Sequence, residues 1–250
     1  MKELIVGYNV DTYLVEECCD AIFASLNTTD KSWLACFNPH SYAESLKDEH
    51  FTRALKGANW LIPDGFGVLM ASHLLCGGMA ERVTGSDVFY GLLKRMNSSG
   101  GMNVFFLGST EETLADIRGR MSRDYPNIEV AGTYSPPFEP RFTRTELDQI
   151  ITAVNSVKPD VLWVGMTAPK QEKWIYDNLS KLDVKFVGAI GAVFDFYTGK
   201  VRRAHPVLQR YGLEWFPRLL QQPRRLWRRM FISAPVFLMH VAYQKIKTLL

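Results

Sequence analysis

The 250-residue sequence has little cysteine, and none of Cys18, Cys19, Cys36 and Cys76 stands at the paired spacing of a zinc site or a small secreted disulfide framework. Reduced thiols in a cytosolic protein are expected. No long apolar run is present either. The longest, residues 230–243, is interrupted by Pro235 and His240 and falls short of the ~20 residues that a spanning helix needs. The opening apolar run is too short for a signal-peptide core and is followed by Asp11, Glu16 and Glu17, so export is not expected. Nucleotide signatures are missing as well. No GxGxxG follows the first apolar run, where the chain reads Gly7-Tyr-Asn-Val-Asp-Thr12, and there is no GxxxxGK[ST]. No Asp-x-Asp pair is available to hold a divalent metal against a diphosphate, and the five histidines form no ligand pattern. Neither metal nor cofactor is expected, so a bound diphosphate would be held by backbone amides and arginines.

Acid is scarce in one place. Residues 200–250 contain eleven Lys or Arg and one carboxylate, Glu214, so this segment carries +10 while residues 1–199 carry −7 within a total of +3. The composition predicts an acidic body over 1–199 and a basic appendage over 200–250. A nucleic-acid-binding protein would carry its basic residues onto the body, which the −7 excludes.

Along the body, short β-rich runs alternate with segments of helical period, the pattern of a parallel sheet covered by crossover helices. Strands are expected at 4–7, 33–37, 60–62, 103–107, 128–132, 161–164 and 185–190. Helices are expected at 15–26, 41–56, 66–75, 87–96, 111–123, 145–157 and 170–179. Val161-Leu-Trp-Val164 is the clearest strand, a continuous apolar run that predicts burial on both faces.

In such a sheet, ligands bind beyond the carboxyl ends of the strands, where helix-start amides face outward. The residues just past the strands are Asn38-Pro-His40, Pro63-Asp-Gly-Phe-Gly67, Gly108-Ser-Thr110, Gly165-Met-Thr-Ala-Pro-Lys-Gln-Glu-Lys-Trp174 and Gly188-Ala-Ile-Gly-Ala-Val-Phe-Asp-Phe196. Asp64 can either remove a proton from a hydroxyl or merely support its turn. Pro169 pre-sets a helix start with Lys170 and Gln171 directed at the strand end, or is part of an ordinary connection. Arg82, beside Thr84-Gly-Ser-Asp87, is either a phosphate ligand or a solvated charge.

In this order, these segments resemble the WecG/TagA/CpsF family of bacterial glycosyltransferases, from about Gly7 to Arg229. The matching runs include Asn38-Pro39, Pro63-Asp-Gly65, Arg82-Val-Thr-Gly-Ser-Asp87, Phe105-Phe-Leu-Gly-Ser109 and Gly165 to Trp174, with Gly165, Pro169, Lys170, Gln171 and Glu172. They continue through Gly188 to Asp195, Gly199-Lys-Val-Arg-Arg-Ala204, Gly212-Leu-Glu-Trp215 and Arg218 to Arg228. The resemblance implies a Rossmann-like, mostly parallel sheet with a helical, membrane-associating appendage. It also implies metal-independent, inverting transfer from a UDP-sugar to a polyprenyl-diphosphate-linked saccharide on the cytoplasmic face of the membrane. Asp64 matches the proposed general base, and Gln171 and Asp195 match pocket residues. Arg218, Arg225 and Arg228 match arginines brought over the diphosphate. Cys36, Asn38, Gly65, Arg82, Gly85, Asp87, Gly108 and Ser109 fall in the same matching stretches. Many relatives carry threonine where this chain has Cys36, and a thiol is a poorer hydrogen-bond donor than a hydroxyl.

Tyr134 and Phe138 can stack on a uracil ring or close the edge of the core. The arginines from 224 to 229 suit an anionic leaflet, and residues 230–250 suit either that leaflet or packing on the body or on a second copy in a homo-oligomer.

Overall fold

The structure is a computed structural model and describes residues 1–75, 77–201 and 227–249. The chain opens with a hairpin in which β1 (Lys2–Ile5) pairs antiparallel with β2 (Tyr8–Asp11). Val6 and Gly7 between them have φ of 43° and 84°. Two consecutive left-handed residues reverse the chain in a tight turn, so the strand expected at 4–7 ends at Ile5 and stays outside the main sheet. The hairpin is fixed to the body by Asp11, whose buried carboxylate accepts from the Leu61 amide at 2.6 Å.

The main sheet is built from β3 (Ser32–Phe37), β4 (Trp60–Pro63), β5 (Met102–Gly108), β6 (Ile128–Tyr134), β7 (Val161–Gly165) and β8 (Phe186–Ala189). All its pairings are parallel, in the order β4-β3-β8-β7-β5-β6. The chain runs outward from β3 to one edge and from β5 to the other, then returns to fill the middle with β7 and β8. Val161 to Val164 are all buried, as a central strand covered on both faces requires.

Alternate strand residues feed two apolar layers. On one face Phe37, Leu162, Val164 and Val187 pack with α2 (Pro39–Ser45), α3 (Glu49–Lys56), α4 (Phe66–Leu75), α7 (Arg144–Asn155) and α8 (Lys170–Asn178). On the other, Leu34, Phe106, Trp163 and Phe186 pack with α1 (Val15–Ser25), α5 (Gly85–Ser99), α6 (Glu111–Asp124) and α9 (Val193–Thr198). The hydroxyls of Thr84, Thr110 and Thr143 cap α5, α6 and α7. The single helix expected over 41–56 is broken in two because Asp48 turns its side chain to the Phe51 amide and starts α3 afresh.

The last described helix, α10 (Ala234–Leu249), follows a π-helical turn at Arg229–Ser233. Phe237 and Val241 are buried in the same layer as Phe37 and Tyr42. The Gln244 amide joins α10 to the hairpin, accepting from the Val6 amide at 2.6 Å and donating to the Leu4 carbonyl at 3.0 Å. Tyr42 hydrogen-bonds His240, and His40 meets Ser233 at 3.1 Å. One face of the terminal helix therefore packs on the body, while Leu238, Met239, Tyr243 and Ile246 remain exposed. Residues 202–226, about half of the expected appendage, lie outside the described residues.

Candidate active site

The carboxyl ends of the strands open onto one cleft of about 1160 Å³. It is lined by Cys36 and Asn38 after or within β3, Asp64 and Gly65 after β4, and Arg82 and Gly85 before and within α5. Ser109 after β5, Gly165 to Glu172 around β7 and α8, and Asp195 in α9 complete the wall. Among the residues expected to form a site, thirteen meet here: Cys36, Asn38, Asp64, Gly65, Arg82, Gly85, Ser109, Gly165, Pro169, Lys170, Gln171, Glu172 and Asp195.

Asp64 is held by its backbone. Its amide donates to the Phe37 carbonyl at 2.8 Å, tying the end of β4 to the end of β3. Gly65 then takes φ 125°, a region that other residues avoid, and the chain turns directly into α4. Across the cleft, α5 approaches β3 so closely that a Cβ on Gly85 would lie 3.2 Å from the Cys36 sulfur. The Asn38 oxygen caps α2, accepting from the His40 and Ser41 amides at 3.0 and 2.9 Å.

The floor is polar and tightly connected. Gln171 Oε1 accepts from the amides of Met166 and Gly191, each at 3.2 Å, and so bridges the loops after β7 and β8. Gln171 Nε2 donates at 2.9 Å to Oε1 of Glu172. Glu172 is 2% exposed, and its Oε2 has no hydrogen-bond partner among the described residues. Burial pushes its carboxyl up to about 7, opposed by the Gln171 hydrogen bond. Burial also raises the Cys36 thiol well above its usual range, reinforced by Asp64 and Glu172, so Cys36 stays protonated at neutral pH. Its sulfur faces the Ala189 carbonyl at 3.7 Å.

Lys170 is turned differently from the expectation that it points at the strand end. Its ammonium lies 3.5 Å from the centre of the Phe142 ring and donates to the Glu139 carbonyl at 2.5 Å, fastening the proline-rich segment 135–142 beside the cleft. Pro136, Pro137, Phe138, Glu139 and Pro140 line the cleft from there, with Phe138 80% exposed.

Four expected residues are placed elsewhere. Tyr134 packs half-buried against the apolar core and does not line the cleft. The Asp87 carboxylate accepts from the Thr84 amide and hydroxyl at 3.0 and 2.7 Å, completing the cap of α5. Gly108 is needed for approach: at φ 117°, a Cβ there would be 2.5 Å from the Gly165 carbonyl oxygen. Arg228 is exposed, and it is its neighbour Arg229 that lines the cleft. Arg218 and Arg225 lie outside the described residues.

Arg229, His40 and Lys200 are lining residues beyond the expected set. Nothing in the spacing separates Arg229 from the other tail arginines. Lys200 lies in the Gly199-Lys-Val run, and its ammonium is held by Thr113 and Glu112, each at 3.1 Å. Among the described residues no group of three or more His, Cys, Asp or Glu side chains is placed to hold a metal.

One cleft thus combines a carboxylate at a strand end, helix-start amides and several cations, which suits proton removal on one side and stabilisation of a leaving diphosphate on the other. Residues 3–249 match the Glycosyl transferase WecG/TagA/CpsF family. A relative in Bacillus subtilis is 34% identical over 83% of this chain and 78% of its own length. One in Bacillus spizizenii is 32% identical over 85% and 79%. One in Staphylococcus aureus is 25% identical over 97% and 93%. All three are named N-acetylglucosaminyldiphosphoundecaprenol N-acetyl-beta-D-mannosaminyltransferase. The chain belongs to the WecG/TagA/CpsF family of glycosyltransferases.

Proposed function

We propose that the protein transfers N-acetyl-D-mannosamine from its UDP conjugate to N-acetylglucosamine carried on a polyprenyl diphosphate, with inversion and without a metal. The observation that carries this reading is the meeting of Asp64 with Arg82, Arg229, Gln171 and Asp195 around one cleft. The sugar and the acceptor come from the relatives' names. Those names also specify a β product, and a β product from an α-linked nucleotide sugar requires inversion.

The Asp64 carboxylate takes the proton of the acceptor hydroxyl, whose oxygen forms a bond to the anomeric carbon. The bond from that carbon to the β-phosphate oxygen breaks, and UDP leaves with the electron pair. The growing negative charge is met by Arg82, Arg229 and the amides at the starts of α5 and α8, with Arg218 and Arg225 supplied by the tail. The protein works at the cytoplasmic face of the membrane. No helix among the described residues is long and apolar enough to cross a bilayer. The exposed side chains of α10, together with the basic tail, hold it peripherally on anionic lipid.

Acceptor-dependent release of UDP, measured over a panel of UDP-sugars, tests the reading. Release is expected with UDP-N-acetylmannosamine and a lipid-diphosphate N-acetylglucosamine acceptor, undiminished by EDTA. Release that requires added divalent metal, or none with any UDP-sugar, would overturn it.

A further inference from the structure

The cleft wall changes character along α4. At the head of this helix stand Asp64 and Gly65. Phe66 and Met70, one turn apart on one side of the helix, line the same cleft although 43% and 40% exposed. Leu74 continues the row and is 51% exposed. No Lys, Arg, Asp or Glu occurs in α4. α10 lies against α4 and adds Ala234, Phe237 and Leu238 to the cleft, Leu238 being 40% exposed. An open apolar trough therefore leads away from the proposed base between the two helices. At 1.5 Å per residue, the row from Phe66 to Leu74 runs for about 12 Å.

We propose that this trough binds the first isoprene units of the acceptor's lipid chain, setting the diphosphate and the sugar hydroxyl at Asp64. The inference rests on the acceptor proposed above. Two features select an isoprenoid as the occupant. Phe66, Met70, Ala234, Phe237 and Leu238 line the same cavity as Asp64, with Leu74 continuing the row beyond it, so the occupant is part of a molecule that reaches the reacting centre. The rows Phe66–Met70–Leu74 and Ala234–Leu238 offer no hydrogen-bonding side chain, which a nucleotide or saccharide would require and a branched hydrocarbon does not. Apolar surface left open to water at that point is stabilised once the chain covers it.

The test uses N-acetylglucosamine diphosphate esters carrying one or three isoprene units, dissolved without bilayer or detergent. The wild type should show a higher kcat/KM for the three-unit ester. Met70→Thr and Leu238→Thr, at partly exposed positions, should each reduce that preference by about tenfold. Met70→Leu, which keeps the apolar surface, should retain it. An unchanged preference in both threonine variants overturns the trough, including the case in which those variants lose only their binding to anionic vesicles. Failure of the wild type to use either ester is a different result and contradicts the acceptor reading itself.

Discussion

Glu172 carries a buried carboxyl with one oxygen held by Gln171 and the other without a partner among the described residues. Its folded value of about 7 lies above the ordinary 4.5. At acidic pH the folded and unfolded chains both keep this proton, and the associated stability is fully present. As pH rises from 4.5 towards 7 the unfolded chain releases the proton while the folded chain retains it, so stability is lost. Above that range a charge lies buried. Glu172→Gln should therefore raise the unfolding free energy read from urea titration at pH 8 by about 3 kcal/mol at most relative to the wild type, and the gap should close near pH 5. A gap that widens on acidification would contradict this assignment. The positions of Asp64, Gln171 and Asp195 were legible in the sequence because each follows a strand whose apolar run is easily read. Those of Tyr134, Asp87 and Arg228 were not, because a motif marks a stretch of chain and not the direction of a side chain. Asp87 is occupied by a helix cap, and Tyr134 by the core.

Among the elements, α10 shows how contacts distant in sequence decide a question that composition leaves open. Phe237 is fully buried, with its ring edge-on to Tyr42 and Phe37 at 5.5 and 6.4 Å. Phe237→Ala should cost about 3–5 kcal/mol of unfolding free energy. A loss below ~1 kcal/mol in urea titration would mean that the helix is not docked as described. The central strands could be read from the sequence because parallel strands buried on both faces are continuously apolar. The hairpin leaves little trace in the sequence because its second strand, Tyr8–Asp11, is only four residues long and follows a turn made partly by Val6, a residue that rarely takes positive φ. The break between α2 and α3 depends on the Asp48 cap, which interrupts a pattern that is otherwise periodic.

For the whole molecule, the uneven charge and the single polar edge of the sheet together define a direction. The −7 body brings Asp64 and Asp195 to the cleft, and the +10 end supplies Arg229 to it and an apolar face to the surroundings. Two consequences of the proposed function can be separated by experiment. Sedimentation with anionic vesicles should carry down the wild-type chain but leave in the supernatant a full-length variant with the exposed Met239, Tyr243 and Ile246 changed to Ser. Arg225→Ala should lower turnover by about tenfold or more, as loss of one donor to a developing charge does, while leaving vesicle binding nearly intact. Equal sedimentation of wild type and serine variant would remove the membrane role from the exposed face of α10. The alternation of strands and helices was enough to indicate a parallel α/β sheet, but not the strand order. That order depends on which crossovers pass over β3 and β8, and pairing across such distances leaves no local pattern. The most direct test of the central claim is the rate of acceptor-dependent UDP release by Asp64→Ala compared with the wild type, with the fold of both checked by circular dichroism. Loss of the proposed base should lower turnover by about 10²- to 10⁴-fold with the fold intact, whereas near-normal turnover would show that Asp64 is not the base.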